Sequence, residues 1–452
     1  MSMLQQFNEV PPSNTPPQPS FIERNGYLVK ASIILLLVLM MQIPIQMISG
    51  LITERQERQH KAASEVSADW GLEQVVTGPI LTIPYYIAQY EDGKPLKKLA
   101  YATVLPTNLN IDGKMISKIR HRNVYEIVVY NSKTKFSGQF DFKDFSTLNI
   151  PAGDIVWANA TLNMGISDLR GIEETIKVKW DNLETEFASG IEAKGVLPSG
   201  VHAAVSINPQ NSSAFEFNLS LKGTSKLHFT PVGAETKIKL NSNWEHPSFS
   251  GAYLPAAHEI KEGFKADWKV SYLNRKYPQM WLGDAYAQAL AQSAFGVNLF
   301  LSGDHYAKSE RTVKYSFLLI SLTFLAFFFM EVLNKQKVHP FQYILIGLAL
   351  CIFYSLLISF AEYLAYDVAY LVAAVMTISL IGFYTTGIFK DKKYGTGIMG
   401  ILSFLYIFVF VVIRLEAHSL LMGSVGLFTA LATVMYLSRH VDWYHLKTEE
   451  SL

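Results

Sequence analysis

YLVKASIILLLVLMMQIPIQMISGL, Tyr27 to Leu51, decides the fold of this chain. From Ala31 onward it carries no charge and is mostly apolar. Roughly 20 residues of helix cross a bilayer core, so the run predicts a membrane span. A cleaved signal peptide is the competing reading. The segment ends without a small-x-small cleavage site, since Met47 and Ile48 stand at the key places. A retained anchor follows, with Pro44 expected to kink it near its outer end.

Five more apolar runs lie beyond Lys314: Tyr315–Val332, Phe341–Phe360, Val368–Phe389, Ile398–Ile413 and Leu420–Leu437. Six spans result. Their direction follows from the short loops, because Lys and Arg concentrate on the cytoplasmic side. The ends carrying Lys335 and Lys337, then Lys390, Lys392 and Lys393, then Arg439 and Lys447 are basic. The alternate loops AEYLAYD and RLEAHS hold none and one. Both termini are therefore expected in the cytoplasm. Arg55, Arg58 and Lys61 after the first span run against this, but long translocated segments obey the rule weakly.

The expected layout is a disordered cytoplasmic tail (1–27), a first span (28–51), an outer domain (52–312), a five-helix membrane domain (313–438) and a cytoplasmic tail (439–452). The start, PPSNTPPQP, has nothing with which to build a core. Half of the residues are hydrophobic and 17% are charged, with a formal net charge of +1. No global basic field draws in nucleic acid. The single cysteine, Cys351, can form neither an intramolecular disulfide nor a CxxC site.

In the outer domain a helix is expected from the end of the first span to Gly71. Short β-prone runs follow, among them KFSGQFDF with its period of two. They predict a β-rich, sandwich-like domain of antiparallel sheets, as one body or as two subdomains.

Motifs for chemistry are weak. GTGIMG, Gly395–Gly400, matches GxGxxG but lies between a lysine loop and a membrane span, where small residues serve close helix packing. SKTK at Ser132 matches SxxK without its companion elements. HEIKE at His258 lacks the second histidine of a zinc site. No catalytic residue, cofactor site or metal ligand is assigned, and the protein is expected not to be an enzyme. Two stretches stand out as structural or partner-binding: ISDLRGI, with Asp168 and Arg170, and SNWEHPSFSGAYLPA, Ser242–Ala256, with Trp244, His246, Pro247 and Tyr253. Glu245, His246 and Ser248 would make a hydrolase only if they converged, and neighbours on an extended chain point apart. Glu331, Glu362, Asp367, Arg414, Glu416 and His418 lie near span ends; a transporter would turn Glu331, Glu362 or Arg414 toward a polar cavity.

These two stretches, together with LLLVLMMQIPIQMISGLITER, GPILTIP, ERTVKYSFLLISLTFLAFFFMEVL, HPFQYILIGLALCIFYSLLISFAE and RHVDWY, are similar in order and content to the CreD family of cell envelope integrity proteins. The resemblance runs over nearly the whole chain after the Pro-rich tail, which is longer than the family pattern. It implies a bacterial inner-membrane protein tied to a two-component regulon, envelope stress, colicin tolerance and β-lactam-related responses. It also implies one span, a periplasmic domain and five spans. No reaction is established for the family, so no catalytic role carries over. The expected partners are the lipid bilayer and an envelope protein or cell-wall component, with no cofactor and no nucleic acid.

Overall fold

The computed structural model describes residues 26–91, 94–192, 195–300, 305–334, 338–415 and 419–439. Most of both expected tails, and Lys335, Lys337, Glu416, His418 and Lys447, lie outside the described residues. The chain divides into two compact units: a helical one from the two ends of the chain, up to Gln56 and from Gly303, and a β-rich one, Glu57–Ser302.

Among the described residues, five helices are long and apolar enough to cross a membrane: Leu28–Trp70, Ser316–Leu333, Pro340–Ala361, Tyr366–Phe389 and Lys392–Arg414. The helix Ser419–Ser438, at the place of the expected sixth span, carries a shorter apolar run, Leu421–Tyr436. The first of the five is interrupted at Met41, between Gly26–Met40 and Gln42–Trp70. Pro44 has no N–H to give to the carbonyl of Met40, so the break falls on the N-terminal side of the proline. Beyond it the helix runs to Trp70, where Gly71 at φ +143 donates to Ser67 O and ends it.

Local chemistry sets the other helix starts. His339 caps Pro340–Ala361: its Nδ1 accepts from Phe341 N, and its own N–H donates to Gln342 Oε1 at 2.9 Å. Asp391 accepts from Lys393 N and caps Lys392–Arg414. GTGIMG lies inside that helix, with no strand before it. Of its glycines only Gly395 permits a close approach, since a Cβ there would collide with Thr386 Oγ1.

Four candidate charges of the helical unit, Glu331, Glu362, Asp367 and Arg414, are paired. Glu331 is 5% exposed. Its carboxylate takes Lys30 of the first helix as an ion pair and accepts from Tyr343 OH at 3.3 Å and Val338 N at 3.3 Å. Lys30 also donates to Val338 O at 2.7 Å. Glu362 meets Arg55 and Tyr306 OH, each at 3.3 Å, and Arg414 pairs with Asp367.

The β-rich unit holds a nine-stranded and an eight-stranded sheet. Their facing side chains form one core, from Ile80, Leu81 and Phe229 of the first to Phe136, Phe217 and Trp268 of the second. The sheets are not wholly antiparallel, as the strand pattern had led us to expect. Gln74–Thr77 runs parallel to Leu227–Thr230, and Asn108–Met115 runs parallel to Glu235–Ser242. Period-two alternation reveals which face a residue takes, and it is the same whichever way the neighbouring strand runs. The eight-stranded sheet has alternating exposure, as in Asn108–Arg122 and Gly263–Ser271. The nine-stranded sheet is buried on both faces at its centre, with Gly78 to Tyr85 buried throughout. SKTK lies within the strand Tyr125–Phe140, and HEIKE begins in the fully exposed strand Ala257–Lys261.

Glu331→Ala should leave the Lys30 ammonium without its partner and destabilise the helical unit by about 3–5 kcal/mol. Replacing both, Lys30→Met with Glu331→Leu, should recover most of that loss. Unfolding of the solubilised protein measures both; a double variant as unstable as the single one contradicts the prediction.

Candidate functional site

Ser242–Ala256 is the passage between the two sheets. The strand Glu235–Ser242 belongs to the eight-stranded sheet, and Pro247–Gly251 is an edge strand of the nine-stranded one. The chain then returns to the eight-stranded sheet at Ala257–Lys261. Each residue type in the run serves this crossing. The Asn243 side chain accepts from Ser117 N at 2.8 Å and donates to Ser117 O at 3.1 Å, standing in for a strand neighbour. The indole N–H of Trp244 donates to His246 O and Phe300 O, both at 3.2 Å. Phe249 packs edge-on against Phe264 and Trp268. Tyr253 lies edge-on to Phe295 and donates to Asn274 O at 2.8 Å. Pro247 opens the edge strand, where a missing N–H costs least. His246 is exposed, and its ring has no hydrogen-bond partner among the described residues. Glu245, His246 and Ser248 form no acid–base–nucleophile set.

The run does supply a serine to a histidine, though not the pair considered from sequence. Ser250 Oγ lies 3.2 Å from Nε2 of His228, which lies 3.1 Å from Asn298 Oδ1. The register explains the meeting. His228 and Ser250 both face Gly296, one from each neighbouring strand. Gly296 has no side chain, so the imidazole lies across the middle strand and reaches Ser250. A Cβ at Gly296 would collide with Leu227 O and stand 3.1 Å from His228 Cδ2. On the strand Lys226–Thr230, Leu227 and Phe229 enter the core, which leaves Lys226, His228 and Thr230 on the outer face of the sheet.

A cavity of about 450 Å³ opens on that face. Its floor includes Thr77, Lys226 and His228; its roof is Val196–Ser199 and residues of Ala287–Ala294. A second cavity of about 700 Å³ adjoins it and shares Val196, Leu197, Pro198, Ser199, Ala287 and Ala291. His228 is 6% exposed. Burial, with the nearby Lys226 charge, lowers its pKa to about 4 against the opposing bond to Asn298. The imidazole is neutral at pH 7. A base that weak accepts a proton from Ser250 poorly, so the arrangement suits hydrogen bonding better than nucleophile activation. Among the described residues, no group of three or more His, Cys, Asp or Glu could share a metal ion.

ISDLRGI forms a clasp elsewhere in the same unit. Asp168 caps the short turn Leu169–Gly171 and is 8% exposed. Its carboxylate accepts from Arg170 Nε at 3.0 Å, Arg170 Nη2 at 3.1 Å and Leu72 N at 2.9 Å. Arg170 reaches on to Ala68 O at 3.0 Å, a carbonyl in the last turn of the helix ending at Trp70. A cation there suits the helix dipole. The fully buried Gln74 joins the parts: its amide donates to Asp168 O and Lys222 O, and its oxygen accepts from Asp168 N. Asp168 and Arg170 therefore meet each other, whereas Trp244, His246, Pro247 and Tyr253 belong to the inter-sheet passage. Sequence reasoning missed Gln74, His228, Ser250, Gly296 and Asn298 as interacting residues. Their partners are set by strand register, for which no local pattern exists.

Residues 26–444 match the family described as "Inner membrane protein CreD". The chain is similar to the Inner membrane protein CreD of Escherichia coli (strain K12), 31% identical over 423 residues, covering 90% of this chain and 91% of that protein.

The Asp168 clasp carries a pH signature. Burial raises its pKa, but the Arg170 side chain and the amides of Leu72 and Arg170 outweigh it, and the carboxyl is held below its ordinary value. The clasp's contribution is therefore complete above about pH 4, the ordinary aspartate range, and is lost as pH falls through the lowered folded value. Asp168→Ala should cost about 1–3 kcal/mol at neutral pH, mainly through the stranded donors. Unfolding of both proteins at neutral and acid pH tests this: the gap between them should shrink in acid, and a constant gap contradicts it.

Proposed function

Because the chain belongs to the CreD family of inner-membrane proteins, we propose that it supports envelope integrity and the response to envelope stress without catalysing a reaction, acting through its β-rich unit in the periplasm. The observation that carries this reading is the hydrogen-bonded His228–Ser250–Asn298 group beside an open cavity, with its histidine held neutral by burial. Such a site favours holding a ligand over moving a proton. We assign both termini to the cytoplasm from the loop charges, and six spans. Ser419–Ser438 has 20 residues, and a helix of that length extends about 30 Å, the thickness of a bilayer core. The bilayer is then the constant partner, and an envelope protein or cell-wall component the second. Transport by the helical unit is the weaker reading, since Glu331, Glu362 and Arg414 are each committed to an ion pair.

Topology can be tested with one introduced thiol. Leu254 is 70% exposed, and the native Cys351 is buried. In intact cells with a permeabilised outer membrane, a membrane-impermeant maleimide should label Leu254→Cys and leave the parent protein unlabelled. Labelling of Leu254→Cys only after lysis would place the β-rich unit in the cytoplasm.

Function is tested in a strain lacking the gene. Loss of the gene should reduce survival in detergent, and wild type expressed at its normal membrane level should restore it. A deletion strain as resistant as its parent sinks the envelope reading.

A further inference from the structure

We propose that the paired cavities over the outer face of the nine-stranded sheet bind an acyl chain ending in a carboxylate. This deepens, and rests on, the reading of the β-rich unit as a ligand-holding envelope component. The two volumes, about 450 and 700 Å³, lie within the range of small-molecule sites. Their shared wall is Val196, Leu197, Pro198, Ala287 and Ala291, with Leu290 beside it in the smaller cavity.

The hydroxyls around the smaller cavity have partners already. Thr77 meets Thr230, Ser199 donates to Ile166 O, and Ser167 donates to Glu73 O while accepting from Val75 N. In the smaller cavity a ligand rich in polar groups would find few open partners and lose its own water bonds. An apolar chain loses nothing of that kind and gains burial against the aliphatic wall.

One charge stands at the floor. Lys226 shares the outer face with His228, two residues along the same strand. Its ammonium lies 3.8 Å from Glu73, whose side chain is 59% exposed. An exposed pair at that distance is weakly held, so Lys226 can exchange Glu73 for a carboxylate of the ligand. A single cation matches a single negative charge, which favours a carboxylate over a doubly charged phosphate.

The experiment uses the full-length protein in lipid nanodiscs with dodecanoate as probe and protein-free nanodiscs as baseline. Saturable binding above baseline is expected. Ala291→Trp, which fills the shared wall, should abolish it. Lys226→Gln, at a partly exposed position, should weaken dodecanoate by about tenfold while leaving dodecanol unchanged. Acetate, the head group without the chain, should not compete.

Dodecanoate binding unaltered in Ala291→Trp or in Lys226→Gln overturns the assignment. Wild-type protein that restores detergent survival yet binds no dodecanoate removes the ligand and keeps the envelope reading. Specific dodecanoate binding in a strain with no detergent phenotype does the reverse.

Discussion

A bilayer core offers the peptide backbone no hydrogen-bond partner, and every other feature of this chain is arranged around that constraint. Helices meet it within a single segment, so the apolar runs at both ends of the sequence are helices. Open sheets cannot meet it. Both sheets here have edge strands, among them Ala257–Lys261 with every residue exposed. Such a unit belongs in water, and the sequence places it as one block between apolar helices. The same constraint accounts for the polar clusters of the helical unit. Glu331 is surrounded by Lys30, Tyr343 and the Val338 amide because an unmet carboxylate there would be far more costly than one in the β-rich unit.

Much of this could be read directly. Apolar length announced the helices, and Gly71 marked the end of the first. The period-two run KFSGQFDF fell in a strand as far as Phe140. What could not be read was anything that depends on which strand lies beside which. The parallel pairs, the Gln74 clasp and the meeting of His228 with Ser250 across Gly296 join residues that are far apart in sequence. Pro44 was a legible perturbation, but the break lies at Met41 because the lost bond belongs to a carbonyl one turn earlier.

The candidate residues were found more easily than their roles. Asp168 and Arg170 interact as adjacent charges on a turn can, yet their purpose is to receive the end of a helix and the first strand. The aromatics and prolines of Ser242–Ala256 line a crossing between sheets. The residue of that run closest to chemistry, Ser250, was hidden beside the more conspicuous His246. Its significance comes from a glycine on the neighbouring strand.

The crossing also has an arithmetic. Along Pro247–Gly251, Phe249 turns inward to Phe264 and Trp268, while Ser250 turns outward to His228. Side chains on a strand alternate, so one residue inserted or deleted within this short segment exchanges the two roles. A phenyl ring would then face the cavity and a hydroxyl the core. Two residues would restore the order. The segment therefore counts by parity, and insertions or deletions in related chains should be of even length there.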